Sequence, residues 1–140
     1  MNVFDFRERG NSGVPEDIEQ LAQRVIGAAI EVHRIVRPGQ AEIVYRNALS
    51  YELALRGIPH ACEVPVAINY KGRVVGEGRI DILVADCLVL ELKAVEAFAP
   101  AHTGQVIAYL QARHLKLGLL MNFNVELLRN GIKRVVNTFH

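Results

Sequence analysis

From Glu16 to Val36, apolar residues fall at Ile18, Leu21, Ala22, Val25, Ala29, Val32 and Val36, three and four steps apart. That spacing predicts one face of a long helix, and Glu16, Asp17 and Glu19 in its first turn suit the positive end of the helix dipole. Pro38-Gly39 breaks the period, and a second helix is predicted from about Gln40 to Arg56, stopped by Gly57 with Pro59 beyond. The period then changes to two. Val64, Val66, Ile68 and Tyr70 alternate with Glu63, Pro65, Ala67 and Asn69, and Lys71-Gly72 turns the chain into Arg73-Val74-Val75. These are hairpin signals, with Pro65 placing its strand near a sheet edge. Two apolar strands follow around a turn at Ala85 to Cys87. Pro100 opens a third helix running to about Arg113. Leu115 to Phe123 reads as a buried strand, and Asn130-Gly131 as a turn between Leu127-Leu128 and Ile132 to Val136, a closing hairpin or strand. Residues 1–15 lack a period and read as a loose arm, leaving 16–140 as a single domain. The order predicts an α/β fold with a central mixed sheet flanked by helices.

The stretch Gly76 to Lys93 interrupts its apolar pattern with charge. An ionised group among Ile, Leu and Val costs several kcal/mol unless it is paired or holds a metal. Glu91 and Lys93 share one face of their strand. If the turn takes three residues, Val84 pairs with Leu88 and Asp81 stands opposite Glu91. Two carboxylates and a lysine then converge, an oxygen-rich arrangement suited to Mg²⁺ or Mn²⁺. The plainer reading of the three is a structural ion pair at a strand end.

Composition narrows the rest. The chain has 140 residues, 51% of them hydrophobic, enough for one core without staples. The two cysteines, Cys62 and Cys87, have no CxxC spacing and no further partners, which argues against a zinc ribbon or an iron–sulfur cluster. No apolar run approaches a signal sequence or membrane span, so a cytoplasmic protein without a membrane partner is expected. A net charge of +1 leaves nucleic-acid binding to a local basic surface. No GxSxG elbow or phosphate-binding glycine loop is present.

Gln105 and Tyr109 lie one helical turn apart, and Glu42 and Tyr45 share a stripe of the second helix. Taken together, Gly78-x-x-Asp81, Glu91-x-Lys93 and Gln105-x-x-x-Tyr109 resemble the ordered motifs of the PD-(D/E)XK nuclease superfamily, in particular its RecB-type branch. Gly39-Gln40-Ala41-Glu42-Ile43-Val44-Tyr45 is similar to the signature of the GxxExxY family within it, and the similarity runs from about Ile18 to Phe123. The resemblance implies a restriction-endonuclease-like core, with Asp81 and Glu91 as metal ligands and Lys93 as the catalytic lysine. It adds Glu42 as an acidic ligand from a helix and Gln105 with Tyr109 closing the pocket. His33 is a looser match to a metal-binding histidine, and Arg79 and Tyr45 are candidates for contact with nucleic acid. Ile80 stands where many members have proline.

The expectation is therefore a Mg²⁺- or Mn²⁺-dependent nuclease acting on DNA, with RNA second, through a metal-activated water. The rival is a nucleic-acid-binding or protein-interaction module that keeps the fold without turnover. A homodimer is left open, since the resemblance implies both dimeric and monomeric relatives.

Overall fold

The computed structural model describes residues 13–138, so most of the expected arm lies outside the described residues. Two helices come first, α1 (Glu16–Val36) and α2 (Glu42–Leu55). A three-stranded meander follows: β1 (His60–Tyr70), β2 (Arg73–Val84) and β3 (Leu88–Lys93). Helix α3 (Pro100–Arg113) then leads to β4 (Leu117–Asn122), a 3₁₀ turn (Leu128–Gly131) and β5 (Ile132–Val136). The strands form one sheet in sequence order. β1, β2 and β3 pair antiparallel, β4 lies parallel to β3, and β5 returns antiparallel to β4. A parallel pair needs a crossover, and α3 supplies it.

The sheet separates two apolar layers. On one side Val25, Ala29 and Val32 of α1 and Leu49 and Leu53 of α2 pack with Ile82, Leu88, Leu90, Leu119 and Met121. On the other, Val106, Tyr109 and Leu110 of α3 pack with Leu83, Val89 and Leu120. β3 and β4 are covered on both faces, hence their nearly unbroken apolar sequence. Gly118 lets α3 approach, because a Cβ there would lie 2.6 Å from Val106 Cγ1. At the far edge, Arg134 of β5 forms a buried bidentate ion pair with Glu19 of α1, one bond of 2.8 Å running from Nη1 to Oε2.

Three expectations are revised. α2 starts at Glu42, after Gly39 has taken a left-handed φ of 109°. β1 starts at His60, before the alternation becomes visible. Leu127-Leu128 is not a strand: the residues after β4 cross to β5 through the 3₁₀ turn, so the closing hairpin is β4 with β5. Gly131 permits this, since a Cβ there would run into the Asn122 carbonyl oxygen. Among the described residues, no helix is long and apolar enough to cross a membrane.

One irregularity positions everything that follows. Ile80 packs in the α3 layer, whereas Ile82 packs in the layer of α1 and α2. Strict alternation would give them the same face, so β2 changes face at Asp81. Opposite it in β1 the pairing lapses between Cys62↔Ile82 and Val64↔Ile80, where Glu63 takes a left-handed φ of 53°.

Candidate active site

The turn after β2 takes three residues, with Ala85 and Asp86 at φ 49° and 55°. It sets the register Val84↔Leu88, Leu83↔Val89, Ile82↔Leu90. One step further brings Asp81 opposite Glu91, as expected. There the side chains take over the ladder. The Asp81 amide donates to Glu91 Oε1 at 3.0 Å, and the Leu92 amide donates to Asp81 Oδ2 at 2.8 Å. Each carboxylate is thus fixed by the opposite strand at the point where the strands part.

Both carboxyls titrate above their ordinary range. Glu91 is only 2% exposed, and burial, followed by the charge of Asp81, pushes it up to about 8. Burial also raises Asp81, offset in part by its hydrogen bond from Leu92 and by Lys93. Burial and mutual repulsion thus both disfavour two full negative charges at this point.

Lys93, on the same strand face as Glu91, is oriented from α3. Its Nζ donates to Gln105 Oε1 at 3.4 Å, and Gln105 Nε2 donates to the Tyr109 hydroxyl at 3.1 Å. The Arg79 amide also donates to that hydroxyl, at 3.3 Å. The four-residue spacing of Gln105 and Tyr109 thus serves a relay from β2 through α3 to the lysine. Gly78 gives Tyr109 its place: a Cβ there would lie 2.5 Å from Tyr109 Cε1 and 2.6 Å from its hydroxyl.

Glu42, in the first turn of α2, is exposed and lines a cavity of about 280 Å³ with Ile43, Arg46, Asp81 and Leu92. It raises the Asp81 carboxyl through their repulsion. Among the described residues, no three His, Cys, Asp or Glu side chains stand together as a set that could hold an ion. In place of the expected convergence of Glu42 with Asp81 and Glu91, Glu42 and Asp81 share the lining of one cavity, and Glu91 is buried behind it. The donor chemistry still fits a hard cation. Asp81 and Glu91 offer carboxylate oxygens whose mutual repulsion a divalent ion would relieve, and Mg²⁺ commonly binds through one or two carboxylates plus waters.

His33 and Tyr45 stand elsewhere. His33 is 4% exposed, its Nε2 donates to the Val125 carbonyl at 2.7 Å, and it lines a different cavity with Arg34, Arg37 and Leu128. Its ring is committed to holding the segment after β4. Tyr45 is fully buried and stacks on Phe123 at 4.7 Å between ring centroids. Its hydroxyl donates to the Arg37 carbonyl at 2.7 Å and accepts from the Gln40 amide at 3.0 Å. The expectation that Tyr45 meets nucleic acid is corrected: it closes the turn between α1 and α2. Arg79 is exposed, and its backbone amide is what meets the Tyr109 hydroxyl.

Asn122 belongs to the site although no motif points to it. Its side chain donates to the Val95 carbonyl at 2.8 Å and accepts from the Val95 and Asn124 amides, both at 3.1 Å. It pairs with Lys93 in the parallel ladder and so anchors the chain just beyond the lysine. A polar residue ending the run Leu117 to Met121 was the available signal.

A family model of the PD-(D/E)XK nuclease superfamily matches residues 19–135. The chain belongs to this superfamily, whose members generally hydrolyse phosphodiester bonds. Among solved structures, the crystal structure of SSO0001 is similar to it at 19% identity and a TM-score of 0.54, covering 69% of this chain and 50% of that one. The chain thus spans half the length of that protein, and the likeness supports the restriction-endonuclease-like fold. Comparison with curated proteins gives no match.

Proposed function

We propose that this chain is a Mg²⁺- or Mn²⁺-dependent nuclease of the GxxExxY type that cuts phosphodiester bonds in DNA, with RNA as the second substrate. The observation that carries this reading is the buried Asp81–Glu91 pair beside Lys93, where side chains replace the ladder between β2 and β3. Burial and the charge of Asp81 both oppose the Glu91 carboxylate, and a cation between the two carboxyls would offset that cost. A bound divalent cation would supply a water acidified to near neutrality. Asp81 and Glu91 hold the negative charge that attracts the ion, and Glu42 extends it across the cavity. Lys93, steadied by Gln105, presents its ammonium to charge developing on the phosphate. Tyr109 keeps Gln105 in place. Cys62 and Cys87 are free thiols, in keeping with a reducing cytoplasm.

The test is incubation of purified protein with labelled single-stranded, double-stranded and nicked DNA and with RNA, plus Mn²⁺ or Mg²⁺. Metal-dependent cutting that Lys93→Ala abolishes supports the reading. Equal cutting by wild type and Lys93→Ala shows contamination and defeats it, and binding without cutting favours an interaction module.

A further inference from the structure

The cavity in front of Asp81 has an unassigned cation. Of its lining residues, Glu42 and Asp81 are acidic, Ile43 and Leu92 apolar, and Arg46 alone is basic. Glu42 and Arg46 are four apart on α2, on the same helix face. Lys93 lies toward α3, bonded to Gln105. A phosphodiester entering from the α2 side therefore meets two carboxylates and one guanidinium.

Arg46 is held at that mouth by Glu63. Its Nη1 lies 2.7 Å from Glu63 Oε1, and the two side chains are 18% and 53% exposed. Nη2 makes a long contact of 3.4 Å with Asn47 Oδ1. A guanidinium has five N–H donors in a fork that matches phosphate oxygens, so donors remain after both contacts. Glu63 sits in the left-handed region at φ 53°, an unfavourable conformation for a residue with a Cβ. It lies in β1 opposite Asp81, where the pairing lapses. The strained residue that breaks the ladder beside Asp81 is the one that grips Arg46. With its carboxylate half exposed, the pair contributes on the order of 1 kcal/mol at most to stability, too little to account for a strained backbone.

We propose that Arg46 is a substrate-binding residue of this cavity: its guanidinium takes a phosphate of the nucleic-acid backbone beside the Asp81–Glu91 pair, and Glu63 holds it ready until the phosphate displaces the carboxylate. This rests on the nuclease reading for the identity of the substrate. It adds a residue that the superfamily motifs in this chain do not include.

The opposite behaviour of the two partners tests it. Fluorescence anisotropy with a labelled DNA oligonucleotide, without divalent metal, is run across a salt series for wild type, Arg46→Gln, Arg46→Lys and Glu63→Gln. Cutting in Mn²⁺ is followed separately, and melting curves establish that each variant is folded. Arg46→Gln should weaken binding about tenfold and lower the salt slope by about 1, with KM raised more than kcat is reduced. Arg46→Lys should fall between, keeping the charge and losing the fork. Glu63→Gln should bind about as tightly as wild type or a few-fold tighter, because it frees the guanidinium. A purely structural ion pair would make Arg46→Gln and Glu63→Gln behave alike, and that result overturns the proposal. So does an Arg46→Gln with wild-type affinity and salt slope. If wild type binds but does not cut, the nuclease reading falls, and the assignment of Arg46 is decided by the binding series alone.

Discussion

Adding one methyl group at Gly78 should disable the relay that orients Lys93. Gly78 has no left-handed φ, so alanine is tolerated by the backbone and the effect is steric. The new Cβ would stand 2.5 Å from Tyr109 Cε1, 2.6 Å from its hydroxyl and 2.9 Å from Cζ. Ordinary carbon contacts are about 3.5 Å or more, so the ring must retreat by about 1 Å. It has little room, being 5% exposed and packed with Ile80, Val106 and Leu110. Overpacking of this size costs about 1–3 kcal/mol. In a domain of this length, 2 kcal/mol corresponds to a fall in Tm of roughly 6 °C. The same retreat separates the Tyr109 hydroxyl from Gln105 Nε2, now 3.1 Å away, and frees Gln105 from its orientation toward Lys93. Misplacing a catalytic group by about 1 Å can cost on the order of 100-fold in rate, so cutting should fall 10- to 100-fold. Urea denaturation followed by circular dichroism measures the first effect, and single-turnover cleavage the second. Gly78→Ala combined with Tyr109→Leu should recover part of the stability, showing coupling of about 1 kcal/mol or more, while activity stays low. A Gly78→Ala protein with wild-type stability, or strictly additive effects in the double variant, would refute the packing argument.

Other outcomes follow from the same geometry. Glu19→Ala removes the carboxylate that grips the buried Arg134 guanidinium and should cost about 3 kcal/mol, measured by urea denaturation, with DNA affinity unchanged. Tyr45→Phe removes the hydroxyl that bridges the Arg37 carbonyl and the Gln40 amide and should cost about 1–2 kcal/mol. Because that hydroxyl is internal, affinity for DNA should not change. The raised Glu91 carboxyl means that the folded protein binds its proton more tightly than the unfolded chain does, so metal-free stability should be full below about pH 4.5 and decline as pH rises toward about 8. Thermal melts across that range should show the decline in wild type and a flatter profile in Glu91→Gln; a wild type growing more stable between pH 5 and 8 would contradict it.

The register that unites Asp81 and Glu91 was legible because two apolar runs flank a short turn, and a slip of one residue would carry Asp81 to the face opposite Glu91. Lys93, Gln105 and Tyr109 were legible from alternation and from helical spacing. What stayed hidden depends on tertiary context. Tyr45 has the helical spacing of a pocket residue, and only the turn at Arg37 to Gln40 shows that its hydroxyl is used internally. Strand periodicity presumes one face per strand, so the switch between Ile80 and Ile82 could not be read from it. Glu63 looked like an ordinary outward residue of an edge strand, since a left-handed φ leaves no mark in composition. The need for glycine at position 78 comes from the Tyr109 ring against it, a contact between segments 30 residues apart that no local pattern encodes.

The central claim is that Asp81 and Glu91 form a cation site. Calorimetric titration of Mn²⁺ at pH 7, repeated in two buffers of different ionisation enthalpy, tests it most directly. The account predicts binding that releases roughly one proton, since Glu91 is largely protonated at that pH, and that Asp81→Asn or Glu91→Gln abolishes. Binding of equal strength in wild type and both variants, or no binding by wild type even at pH 8, would contradict it.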